Sequence, residues 1–173
     1  MIRYARASDH AAIDAVLREA FGRAAEAELV TRLRADEASA FELVAEEAGE
    51  IVGHVLFSRL WADRAELYAA LAPLAVRPSR QTEGFGAKLV GAGLDCAREF
   101  GCHGVLVLGD PAYYGRFGFS AEAAGEVQAP FSGLAAFQAL ALEAGAFEGA
   151  LSVAYPDAFA APPPEPPEAS APS

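Results

Sequence analysis

Positive charge is scarce in this chain. Of its 173 residues, 13 are Lys or Arg against 24 Asp or Glu, and Lys88 is the only lysine. The net charge of −11 excludes a nucleic-acid binder, which needs a positive field to hold a phosphate backbone. Long apolar runs are missing too. The longest are about strand length and end in charges, too short to span a bilayer. No basic, then apolar, then small-residue leader opens the sequence, because Arg3, Arg6 and Asp9 interrupt its start. A cytoplasmic protein is therefore expected. There are two cysteines, Cys96 and Cys102, and neither has a metal-ligand partner at a diagnostic spacing. Both read as reduced core thiols, and no metal site is expected. No segment repeats internally.

What is present is enough for a core. Hydrophobic residues make up 53% and charged residues 21%, the composition of a folded domain. The length suits one domain rather than two, expected over residues 1–160. Residues 161–173 belong to a Pro-rich tail, APPPEPPEASAPS, which cannot build a core and is expected to be disordered.

Patterning divides the rest. Residues 2–6 read as an opening strand, followed by a helix with Ala11, Ile13, Ala15, Val16 and Ala20 at helical spacing, ended by Gly22. A second helix is expected over 24–35, with Leu29, Val30 and Leu33 on one face. Residues 41–45 and 51–57 read as two antiparallel strands turning at Ala48-Gly49. The next strand, 66–76, contains Pro73, which has no N–H for a ladder, so a bulge is expected there. A helix over 84–100 and a buried strand, GVLVL at 104–108, follow. After a turn-rich segment at 109–118, weaker strand signals lie at 139–143 and 151–155. This mixed order predicts an α+β fold with a mixed, mostly antiparallel sheet flanked by helices. Its one parallel crossover should run from Leu71 through the helix at Gly84 to Leu108.

The crossover carries the chemistry. Between LAPLAV and its helix lies RPSRQTEGFGAKL, in which Gly84 and Gly86 stand at the helix start. The first amides of a helix have no intrahelical partner, and the helix dipole favours an anion there. Glycine keeps a Cβ out of the approach. Arg77, Arg80 and Lys88 make this stretch locally positive, so the segment reads as a cradle for a small anion such as a diphosphate. It is neither G-x-x-x-x-G-K-[ST], because no hydroxyl follows the lysine, nor G-x-G-x-x-G, because position 89 is Leu.

The residues Gln81, Thr82, Glu83, Gly84, Phe85, Gly86 and Ala87 fit the Q/R-x-x-G-x-G/A motif of the GNAT superfamily of N-acetyltransferases. LAPLAV at 71–76 resembles that family's fourth strand, and GDPAYYGRFGF at 109–119 its distal motif, with a Tyr five residues before the Phe of a Gly-Phe pair. With VGHVLFS at 52–58 as well, the chain is most similar to a bacterial subgroup of predicted N-acetyltransferases, over about residues 1–160. The resemblance implies a GNAT-like fold with a splayed, bulged fourth strand. It also implies transfer of an acetyl group from acetyl-CoA to a primary amine, by direct attack in a ternary complex. The backbone of Leu74, Ala75 and Val76 would pair with the pantetheine arm, and amides from Gln81 through Ala87 would hold the pyrophosphate. Tyr114 would protonate the departing thiolate, with Tyr113 as its rival. A homodimer is also implied.

Two residues depart from the pattern. Thr82 stands where Gly is common, and Glu83 where Arg or Lys is frequent. A carboxylate beside a diphosphate is unfavourable unless it points away. No spacing selects a general base. Glu66 and Tyr68 are candidates, His54 reads as a structural or pocket-lining histidine, and His103 as a turn residue. These gaps leave a non-catalytic acyl-CoA-binding module, or a pure interaction domain, as alternatives.

Overall fold

The computed structural model describes residues 1–160; the Pro-rich tail lies outside the described residues. The chain forms β1 (Ile2–Tyr4), α1 (His10–Phe21), α2 (Ala25–Ala35), β2 (Ser39–Glu47), β3 (Glu50–Ala62), β4 (Leu67–Val76), α3 (Phe85–Glu99), β5 (Cys102–Leu108), α4 (Pro111–Tyr114), β6 (Val127–Gln128), β7 (Phe137–Ala141) and β8 (Leu151–Ala154). One sheet runs in the order β1-β2-β3-β4-β5-β7, and β8 joins the far end of β3 with β6 beside it. Pairing along the main path is antiparallel except between β4 and β5, the two strands that the α3 crossover joins in parallel. The α+β expectation holds.

Side-chain alternation sends the sheet's apolar residues to two faces. On one, Leu89, Val90, Leu94 and Ala97 of α3 meet Phe41, Leu43, Val55, Phe57, Leu71, Leu74 and Val76. On the other, Ile13, Val16 and Leu17 of α1 and Val30 and Leu33 of α2 cover Val44, Leu56 and Ala75. Further along this second face, Leu60, Tyr68, Ala70, Leu106, Phe137 and Ala139 lie under the C-terminal strands. Arg3 staples the edge, donating to Asp9 at 2.8 and 3.0 Å and to Glu46 at 2.7 Å.

The bulge expected at Pro73 is there. Val55 pairs with Leu74 and Phe57 with Leu71, so Ala72 and Pro73 together oppose Leu56 alone. The extra residue shifts the frame by one. As a result Leu71 and Leu74, three apart, share the α3 face, while Ala70, Ala72 and Ala75 share the other.

Several boundaries differ from the sequence reading. β3 continues to Ala62 because Leu60 and Trp61 keep the alternation and find β4 and β8 as partners. β5 begins at Cys102, so His103 is a strand residue and not a turn residue. β7 starts at Phe137, and the turn-rich segment holds the four-residue α4. Both cysteines are free thiols, Cys102 buried and Cys96 half-buried, and burial pushes the Cys102 thiol above its ordinary range.

Candidate active site

The β4–β5 ladder runs from Leu67–Cys102 to Leu71–Val107 and stops at the bulge. Beyond it, Leu74, Ala75 and Val76 stay paired to β3 through Val55, His54 and Gly53. Their other edge has no strand partner among the described residues. The two parallel strands thus part into a wedge, with one row of backbone hydrogen-bonding groups left open, as on any unpaired strand edge.

The loop after β4 ends beside this wedge. Gln81 ties it down, its Nε2 donating to the Val76 carbonyl at 3.1 Å. Thr82 (φ 68°) and Gly84 (φ 87°) then take left-handed conformations, and Gly84 caps α3 without any side-chain hydrogen bond. The next hydrogen bond runs from the Lys88 amide to the Gly84 carbonyl at 3.1 Å. The six amides of Thr82, Glu83, Gly84, Phe85, Gly86 and Ala87 have no partner among the described residues. Successive amides in such a turn at a helix N-terminus form an anion-binding concavity. A Cβ built on Gly84 would meet nothing within 4 Å, so the approach is open.

The cations are arranged differently from the expectation of a positive stretch. Arg77 pairs with Glu19 at 3.1 Å and donates to the Ile51 carbonyl. Arg80 is held by Glu47 and by Glu83, the latter at 2.7 Å. Of the three, Lys88 alone has no ion pair among the described residues. The same contact accounts for Glu83: its carboxylate is turned onto Arg80, which holds it below the usual carboxylate range. Sequence reasoning missed the Arg80–Glu47 pair because those residues are 33 apart.

Tyr114 ends α4, which Asp110 caps by accepting from the Ala112 amide at 2.9 Å. Its ring lies on Gly109, just past β5, where an added Cβ would come within 2.5 Å of it. It belongs to the α3-side cluster that holds Leu74, Val76, Phe85 and Val107. Burial raises the Tyr114 hydroxyl far above its ordinary value, so it keeps its proton. Tyr113 is also buried, its hydroxyl without a hydrogen-bond partner among the described residues and pushed by burial up to about 12. Arg116 lies 4.7 Å from the centre of the Tyr113 ring.

Residues 10–119 match the model of the acetyltransferase (GNAT) family. The chain belongs to that family. Similar in sequence is the uncharacterized N-acetyltransferase YhbS of Escherichia coli, 39% identical over 152 residues, which are 86% of this chain and 91% of that one. The crystal structure of YhbS in complex with CoA superposes with a TM-score of 0.83 at 36% identity, covering 92% of this chain and 91% of that one. A GNAT family acetyltransferase from Brucella melitensis in complex with acetyl-CoA gives 0.78 at 38% identity, over 92% and 97%.

Within this GNAT chain the candidate bases fare unequally. The Tyr68 hydroxyl is spent, donating to the Ala146 carbonyl at 2.6 Å. Glu66 precedes β4 and stands 3.9 Å from His103. His54 is fully buried, its Nε2 2.8 Å from Glu42 Oε1, and Glu42 also accepts two hydrogen bonds from Arg34, at 2.8 and 3.0 Å. Hydrogen bonds from His54 and Arg34 outweigh the desolvation of Glu42 and bring its carboxyl to about 2. Burial is the larger influence on His54 and lowers its pKa despite the carboxylate.

These shifts set a pH dependence. With both pKa values lowered, the folded chain binds fewer protons than the unfolded one at each group. Stability is full above the ordinary imidazole value of about 6.5 and falls as pH drops through it. It falls again between the ordinary carboxylate value and about 2, where Glu42 and Asp9 titrate in the fold. Thermal melts from pH 8 to 3 should show two descending stages. His54→Gln should remove the first, and a melt independent of pH above 5 in the unmutated chain would refute it.

Proposed function

We propose that the protein transfers an acetyl group from acetyl-CoA to a primary amine, by direct attack in a ternary complex. The observation that carries this reading is the row of six unpartnered amides at the head of α3, beside the wedge between β4 and β5. Amides donate to phosphate oxygens without needing a cationic side chain, so Arg80 can stay with Glu47 and Glu83. The unpaired edge of Leu74, Ala75 and Val76 takes the amide-bearing pantetheine arm as an added strand. Acetyl-CoA bound there supplies an activated acyl group with a thiol leaving group. A β4 amide at the bulge is the natural donor to the carbonyl oxygen, a contact of a kind that contributes about 2.7–4 kcal/mol. Tyr114, kept protonated by burial, donates to the departing sulfur. Most of the acceleration comes from holding the amine and the thioester together. The many carboxylates of the chain favour a cationic amine in solution, and the reading places the reaction in the cytoplasm.

Two measurements test it. Saturating CoA at about a hundred times its Kd should stabilise the fold by about 2.7 kcal/mol, a rise of several degrees in Tm; no shift at millimolar CoA would sink the reading. Thiol release from acetyl-CoA on a panel of primary amines should then fall about a hundredfold in Tyr114→Phe, with CoA affinity retained. Full activity of that variant removes Tyr114 from the mechanism, and the same loss in Tyr113→Phe alone would transfer the role. A wild-type chain that binds CoA and acetylates no amine would instead be a non-catalytic acyl-CoA-binding module.

A further inference from the structure

Two buried polar atoms on one strand have no partner among the described residues. Alternation along β3 puts His54, Leu56 and Ser58 on the sheet face opposite α3. His54 and Ser58 are both 0% exposed, yet His54 Nδ1 and Ser58 Oγ make no hydrogen bond. Burying such a group unsatisfied is costly, so each calls for a reason. Their neighbours on β4 are small: His54 is opposite Ala75, Ser58 is opposite Ala70, and Ala72 of the bulge lies between. The one long β4 side chain on this face, Tyr68, lies beyond Ser58 and turns its hydroxyl to the Ala146 carbonyl, and β4 is the strand whose far edge opens into the wedge. Tyr114 sits with the α3-side cluster, so a thioester in the wedge has its leaving-group donor on one face of the sheet. The His54–Ser58 strip lies on the other.

The contacts of His54 define its state. Glu42, paired with Arg34, is a carboxylate and can only accept, so the hydrogen between Glu42 and His54 is on Nε2. Nδ1 is then a lone pair. A base fixed by a carboxylate on its far nitrogen, with its near nitrogen free, is the arrangement that nucleophile activation requires. Three groups face this ring: Glu42 from β2, Arg34 from α2 and His10 from α1. Glu42 favours the imidazolium, and the two basic groups oppose it.

We propose that His54 is the base of the acetyl transfer, its Nδ1 taking through water the proton that the acceptor amine loses. This rests on the acetyltransferase reading. The neutral amine adds to the thioester carbon and forms the C–N bond. Its nitrogen gives one proton toward Nδ1, and the imidazolium is held against Glu42. The C–S bond breaks, and the sulfur leaves with the electron pair and is protonated to the thiol. His54 then releases its proton to solvent. Glu42 is a positioning residue.

His54→Gln keeps a donor toward Glu42 and similar bulk but has no titrating lone pair. The variant should fold and gain the same Tm shift with CoA, while thiol release on a primary amine falls about a hundredfold. In the wild-type chain kcat/KM should rise with pH along a limb due to His54, and that limb should vanish in the variant. A folded His54→Gln with wild-type rate and pH profile overturns the assignment alone. Failure of the wild-type chain to acetylate any amine overturns the transferase reading and the assignment together. Should the variant not fold, nitrogen–proton correlation spectra of the wild-type imidazole decide it. The Nε2–H tautomer at neutral pH is the expected result, and the Nδ1–H tautomer overturns the proposal.

Discussion

Gly93→Val is expected to cost the fold about 3 kcal/mol, roughly 6–12 °C in Tm for a chain of this size. Two effects compete. Taking glycine out of the middle of α3 gains up to about 1 kcal/mol of helix propensity, less for a β-branched residue. Against that, a Cβ at Gly93 would lie 2.3 Å from Cε1 and 2.7 Å from Cζ of Phe57. Phe57 cannot swing away cheaply. It is fully buried, and its ring stacks on Phe41 at 4.7 Å, which stacks in turn on Phe100 at 5.3 Å. Relief means lifting α3 off β3, and with it the helix start that carries the six amides. The double variant Gly93→Val/Phe57→Ala should lose less than the sum of its parts, because each change removes the other's strain. A melt of Gly93→Val within a degree of the wild type would show that α3 does not sit this close to the sheet.

Much of this architecture was legible in the sequence because it is written locally. The parallel crossover follows from a buried GVLVL run after an amphipathic helix, and the bulge follows from Pro73, whose missing N–H has only a few places to go. The unpartnered amides at the head of α3 were equally readable, since two glycines at a helix start need no distant partner. What stayed hidden was long-range. Arg80 looks like a free cation until the sheet brings Glu47 to it. The pairing of His54 with Glu42 across β2 and β3, with Arg34 of α2 behind, joins three elements whose register no spacing specifies. An apolar run containing one histidine reads as core. Its unpartnered Nδ1 follows from the packing of β2, β3 and β4, which no local pattern encodes. The two-residue β6 and the four-residue α4 carry too few positions for any period.

Gly84→Val is the change expected to weaken CoA binding most without touching the bound groups. At φ 87° an L-residue is strained by about 1–2 kcal/mol, and a β-branched one by more. The space around the position is open, so the penalty is one of backbone conformation and not of packing. The loop can relieve it by rotating the neighbouring peptides, which turns one amide away from the concavity. Each charge-assisted hydrogen bond lost there costs about 1.5–3 kcal/mol, so Kd for CoA should rise about 10- to 100-fold, at 1.4 kcal/mol per decade. The Tm of the ligand-free chain should fall by only a few degrees, because α3 keeps its packed face. Calorimetric titration of CoA into both proteins reads the first effect, and melts without ligand read the second. An unchanged Kd would mean that the phosphates are held by Lys88 and its side-chain neighbours. A Kd lost in proportion to stability would mean that α3 itself had moved. A large rise in Kd with a small fall in Tm is the result that only a backbone cradle predicts, since it alone couples one glycine's handedness to affinity and to little else.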